Sequence, residues 1–229
     1  MCACVRVRPG AQRASIVSPQ AGFLPKLASL LRRKSQLPLV LRLLYNVSAE
    51  GDAREAIGAT DVPRLVMRGV LSCPDAQLPL ELAALAINLA AEPRGALAMA
   101  ENGNSARALV DRLYQSHDVH LMKLMRNLAG HAEVAPHLLP FTADVIALVQ
   151  QVDSPEMLVE MLGALGALPL QDVEELPDLV SRYSLVEFLS RYVCPQELEP
   201  PGWLAARARR GAGRPRSRAR RPEPACVDS

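Results

Sequence analysis

Residues 121–131 read LMKLMRNLAGH, and residues 40–50, 82–92 and 161–171 read VLRLLYNVSAE, LAALAINLAAE and MLGALGALPLQ in the same register. Each holds apolar residues at i, i+3, i+4 and i+7: Val40, Leu43, Leu44 and Val47; Leu82, Leu85, Ala86 and Leu89; Leu121, Leu124, Met125 and Leu128; Met161, Ala164, Leu165 and Leu168. That spacing makes one apolar stripe along an α-helix. Burial contributes roughly 1.5–3 kcal/mol per large apolar side chain, so a stripe stabilises the chain only when a neighbour covers it. One residue before the end of the stripes stand Asn46, Asn88, Asn127 and then Ala167, at steps of 42, 39 and 40.

A second helical pattern recurs out of phase with the first, as FLPKLASLL, DVPRLVMRGVL, SARALVDRLY, DVIALVQQV and LVEFLSRYV. Its leucines Leu27, Leu65, Leu109, Leu148 and Leu189 step by 38, 44, 39 and 41. Shorter polar pieces with Gly or Pro nearby lie between, at residues 50–60, 92–103, 131–140 and 172–181. Pro25 and Pro63 fall in first helical turns, where a missing N–H costs least. Each unit is thus a short helix followed by two longer ones. Three helices in about 40 residues is the armadillo plan. The sequence predicts an all-α chain, an armadillo-type α-solenoid of about four repeats over residues 21–194. A disordered segment is expected at 1–20 and a disordered Arg-rich C-terminal tail at 195–229.

Composition agrees. The chain is 49% hydrophobic but 3% aromatic, so its apolar content is mostly Leu, Ala and Val, the first two strong helix formers. The net charge of +2 conceals an asymmetry: residues 207–229 hold eight Arg against Glu223 and Asp228, a balance of +6, which leaves −4 elsewhere. A tail so poor in apolar bulk buries no core. It could neutralise phosphates of nucleic acid, but no aromatic residue follows Trp203 to stack on bases. Translated non-coding sequence is the favoured account of the tail, and nucleic acid is not an expected partner.

Little in the sequence suggests chemistry. Cys2, Cys4, Cys73, Cys194 and Cys226 include no C-x-x-C pair, and scattered thiols fit a reducing compartment. The start, MCACVRVRPG, lacks the apolar core of a secretory signal. The longest uncharged apolar run, Met161 to Gln171, is far short of the roughly 18 residues of a membrane span. His117 and His120 open a third helix with Asp118 as N-cap, and His131 and His137 flank a first helix. None gathers the three or four ligands of a zinc site. Gly163 and Gly166 lie within a helix stripe, and Glu174 and Glu175 point to different faces. The chain is expected to be non-enzymatic, soluble and intracellular. No catalytic residue, metal, cofactor, small-molecule substrate or membrane insertion is expected.

The stretch from about Gly22 to Val193 resembles the armadillo region of the kinesin-associated proteins, the non-motor accessory subunits of heterotrimeric kinesin-II. The phrases that carry the resemblance are GFLPKLASLL, LYNVSAEGDAREAI, TDVPRLVMRGVLSC, LELAALAINLAAEPR, ENGN, LMKLMRNLAGH and LVEFLSRYV. The most specific part is Leu80 to His131. The resemblance implies a scaffold that binds the tail regions of the motor chains, links them to cargo adaptors, and serves microtubule-based and intraflagellar transport. It implies a place in the cytoplasm, on the cytoskeleton, and at the cilium or flagellum and its base. The family's chains are far longer. Here the repeats begin mid-unit near Gly22 and break off near Cys194, so a fragment or a misjoined product is expected.

In an armadillo solenoid the third helices line a concave groove, along which Asn46, Asn88 and Asn127 would project one per repeat. An Asn amide both donates and accepts, so it can bond the backbone of an extended peptide, each bond worth about 0.5–1.5 kcal/mol net. Arg42 and Lys123, four residues before Asn46 and Asn127, share those helix faces and would favour an acidic segment. Equally, the asparagines can bond the neighbouring helix and the charges can be merely solvated. The rival readings are a generic armadillo adaptor and nucleic-acid binding through the tail. Receptors for basic peptides carry Trp beside the ladder Asn. The positions four before the ladder hold Arg42, Ala84, Lys123 and Gly163, which argues against such a receptor.

Overall fold

The computed structural model describes residues 22–193 apart from 34, 76 and 153, and every regular element among them is helical. The segments 1–20 and 195–229, read above as disordered, lie outside the described residues, as do Cys2, Cys4, Cys194 and Cys226.

Two compact units divide the chain, the first ending at Tyr183. In chain order its helices are α1 (Phe23–Leu30), α2 (Leu37–Ser48), α3 (Gly51–Gly58), α4 (Val62–Ser72), α5 (Leu80–Ala90) and α6 (Pro93–Ala100). They continue with α7 (Ala106–Ser116), α8 (Val119–Ala129), α9 (Ala135–Leu138), α10 (Thr142–Val149), α11 (Pro155–Ala167) and α12 (Leu176–Arg182). The second unit contains α13 (Leu185–Val193), in which Leu185 and Phe188 are buried and Val186 is exposed.

The three-helix repeat is explicit. The third helices α2, α5, α8 and α11 pack side by side in one row. Their predicted stripes form the core, with Leu44, Leu85, Leu89, Leu121, Met125, Met161 and Ala164 wholly buried. Only Leu43 of the predicted set is half-buried. The second helices are α1, α4, α7 and α10, and the first helices α3 and α6 pack on each other. This is an armadillo-type α-solenoid.

One register detail differs from the leucine count. Leu65 is half-buried, whereas Met67 is buried beside Val66 and Val62. The buried positions Leu27, Met67, Leu109 and Leu148 step by 40, 42 and 39, which removes the 38-then-44 irregularity. Met fills a core position as well as Leu because burial rewards volume and shape.

Local chemistry starts and stops the helices. Proline occupies the first turn of α2, α4, α6, α11 and α12. Asp118 and Ser154 cap α8 and α11 through their side-chain oxygens. α6 stops where Glu101, Asn102 and Gly103 turn left-handed, and α7 stops at left-handed His117. Gly95 lies where α6 crosses the end of α5: a Cβ there would sit 2.2 Å from the Leu89 carbonyl oxygen.

Candidate functional site

The face formed by α2, α5, α8 and α11 carries every residue singled out above as a candidate for partner binding. Asn88 donates its side-chain amide to Ser48 Oγ at 3.0 Å, and Ser48 in turn donates to the Tyr45 carbonyl at 2.8 Å. Asn127 donates directly to the Ile87 carbonyl at 3.0 Å. Tyr45 and Ile87 each stand one residue before the ladder asparagine of their own helix, so both links end at the same repeat position. The step of 42 before Asn88, against 39 before Asn127, accompanies the hydroxyl relay in the first link. Asn46 is half-buried, and its amide has no partner among the described residues. Ala167 has no amide to offer.

The candidate cations reach the other way, one unit onward. Arg42 pairs with Glu81 at 2.9 Å, Lys123 with Glu156 at 2.7 Å, and Arg126 with Glu160 at 3.0 Å. The Arg42 guanidinium, through its hydrogen bond, holds the Glu81 carboxyl below the usual carboxylate range. Lys123 does the same for Glu156, and the same bond raises Lys123. These groups lie at the surface, where such pairs are worth little. Arg126 lies across Gly163, whose Cβ would come within 2.6 Å of the arginine Nε; the glycine gives the side chain room to reach Glu160.

Asp118 caps α8 as expected, and it and several other side chains make further joints that the sequence did not single out. Asp118, wholly buried, caps α8 through the His120 N–H at 2.8 Å and also accepts from the Leu78 N–H at 2.9 Å, joining the α4–α5 loop to the next unit. The N-cap signal was legible, but the second bond depends on a segment 40 residues earlier. His120 Nδ1 lies 3.1 Å from the same carboxylate. Arg54 donates to the carbonyls of Ser48 and Ala49 at the end of α2, and Arg112 to those of Cys73 and Asp75 after α4. His131 Nε2 lies 2.8 Å from the Ala90 carbonyl and caps α5.

An open recess of about 450 Å³ lies at the C-terminal ends of α5, α8 and α11, lined by Ala91, Arg126, Asn127, Gly130, His131, Gly163, Gly166 and Ala167. Among the described residues no group of three or more His, Cys, Asp or Glu side chains is arranged to hold a metal. No helix among them is long and apolar enough to cross a membrane.

Four third helices in a row, joined by side chains that reach to the adjacent unit, define an armadillo-type repeat protein. The chain belongs to the kinesin-associated protein family: the family model described as Kinesin-associated protein (KAP) matches residues 10–200, which is 191 of the 229. No solved structure matches it.

Proposed function

We propose that the chain is a non-catalytic scaffold, an accessory subunit that binds the tail regions of kinesin-II motor chains and links them to cargo adaptors. Its setting is microtubule-based and intraciliary transport, in the cytoplasm, on the cytoskeleton and at the cilium or flagellum and its base. The observation that carries this reading is the family match over residues 10–200. Supporting it is a solenoid face suited to a long, shallow contact rather than to an enclosed substrate. The candidate contacts on that face are Asn46, Asn88, Asn127, Arg42 and Lys123. Among the described residues the Asn46 amide has no partner, and Asn88 and Asn127 are bonded to the preceding unit through their amide nitrogens, which leaves their side-chain carbonyl oxygens for a partner.

The test is capture of a purified kinesin-II motor tail by this chain and by a longer form extended at both ends, because a solenoid cut within a repeat has uncapped apolar ends. The longer form is expected to retain the tail through gel filtration. Failure of a helical, soluble longer form to retain it would overturn the proposal.

A further inference from the structure

The recess on the third-helix face marks an interruption in a capping pattern. At the end of α5 all four last carbonyls are occupied. Ile87 accepts from Asn127, Asn88 and Leu89 accept from the turn N–H groups of Ala91 and Glu92, and Ala90 accepts from His131. The two cross-unit donors, Asn127 and His131, correspond by register to Ala167 and Gln171 in the next unit. Ala167 has no donor, and Gln171 is exposed with no hydrogen-bond partner among the described residues. Accordingly the carbonyl of Ala129, the buried counterpart of Ala90, accepts no hydrogen bond among the described residues; separately, the carbonyls of Gly166 and Ala167, which line the recess, accept none among them either.

The chemistry of the opening is that of an acceptor site. Three helix C-termini meet there; that of α5 is capped, and those of α8 and α11, with carbonyls left open, carry partial negative charge. Asn127 turns its nitrogen to Ile87, which leaves its Oδ1 as a further acceptor. Of the two basic side chains in its lining, Arg126 is paired with Glu160 and His131 with the Ala90 carbonyl. Gly166 adds no bulk: a Cβ built on it meets nothing within 4 Å. Asp172, Glu174 and Glu175, exposed just beyond α11, have no basic partner among the described residues. Residues 22–193 hold 15 Lys and Arg against 20 Asp and Glu, a net of −5.

We infer that this recess binds one basic side chain, an arginine or lysine, of a partner polypeptide lying along the third-helix face. The guanidinium or ammonium donates to the open carbonyls of Gly166 and Ala167 and to the Asn127 Oδ1, all in the lining of the recess. No tryptophan stands beside the ladder to sandwich the alkyl stem, so this is one weak, donor-specific contact and not the repeated pocket of a basic-peptide receptor. The inference rests on the third-helix face being the partner-bearing surface.

The test uses the full chain and short serine–glycine peptides with a central arginine, citrulline or glutamate, followed by two-dimensional NMR. The arginine peptide is expected to shift the amides of Gly130 and Gly166 and the Asn127 side-chain signal saturably, at least about fivefold more tightly than citrulline, or roughly 1 kcal/mol. Glutamate is expected to leave those signals in place. The double variant Ala167→Asn/Gln171→His restores the caps and should lose the arginine response while melting no lower than the native chain. A second variant, Gly166→Gln, fills the opening without touching the core and should lose it too. Equal binding of arginine and citrulline, or native affinity in both variants, would overturn the inference. Capture of the motor tail is measured alongside: if capture persists while the arginine response is absent, only the recess is disproved. If the longer form captures nothing, the scaffold reading itself fails.

Discussion

The side-chain amide of Asn127 donates to the main-chain carbonyl of Ile87, 3.0 Å away and 40 residues earlier in the chain. A side chain on one third helix thus holds the backbone of the helix before it. The ladder asparagine is a joint between repeats as well as a candidate contact for partners. The first prediction follows. Asn127→Ala should destabilise the chain by about 1 kcal/mol, the worth of one partly buried hydrogen bond. Ala167→Asn should stabilise it by a similar or smaller amount. Thermal melting reads both as shifts of roughly 2–4 °C per kcal/mol for a chain of this size. Opposite signs are expected, and a common sign would contradict the capping account.

Asp118 is the buried carboxylate that fastens two units together. Asp118→Ala leaves the Leu78 and His120 N–H groups without their acceptor and should cost about 2–3 kcal/mol, since bonds to a charged acceptor are the stronger kind. Asp118→Asn keeps one oxygen acceptor and should recover part of that. Urea titration, comparing midpoints at unchanged slope, measures the difference. If the two variants prove equal, the carboxylate is not acting through both of its oxygens.

Two glycines should respond very differently to the same added methyl. Gly95→Ala places Cβ 2.2 Å from the Leu89 carbonyl oxygen, a backbone atom that moves only with α5 itself. Gly163→Ala meets the Arg126 side chain, which can swing away at the expense of its exposed pair with Glu160. The first should destabilise by several kcal/mol, in the manner of overpacking. The second should stay within about 1 kcal/mol, the range of surface ion pairs. Circular dichroism melts of the two variants decide it.

The surface pairs set a shallow dependence on pH. Glu81 has its folded-state value lowered, so its contribution is present above the ordinary carboxylate range and is lost as pH falls through the lowered value. Glu156 behaves alike. Lys123 is raised above 10.5, so its contribution is full below that value and disappears as pH rises through the raised one. Stability should therefore be flat across neutral pH as far as these pairs decide it, with slight losses at the acidic and strongly alkaline extremes. Molar salt should remove both losses by screening. A dependence unaffected by salt would point to other groups.

The repeat architecture was legible because local rules set it. Stripes of period 3.6, prolines in first turns and two markers stepping by about 40 survive in one dimension. Leu65 shows the limit: the same letters allow Met67 as the buried position, and only packing chooses. The partners of Arg42, Lys123 and Asn88 were not legible, because each lies a full repeat away on an adjacent helix and the sequence does not state how adjacent helices are rotated. Ser48 illustrates this most clearly. Nothing in YNVSAE distinguishes a relay hydroxyl from a solvated one until the next helix is in place. Arg54, Arg112 and His131 act as caps on helices distant in sequence or just behind them, where a charge pattern alone reads as solvated surface.

All the cross-unit side-chain bonds named above, from Arg42–Glu81 to His131–Ala90, span 33 to 41 residues. None reaches past the adjacent repeat. The described residues thus transmit tension through a series of similar joints between adjacent repeats. Pulled from its two ends, the chain should give way joint by joint, releasing about 140 Å of contour at each step for a forty-residue unit at roughly 3.5 Å per residue. A sawtooth of that spacing in an optical trap would be the mechanical signature of side chains that reach only to the adjacent repeat.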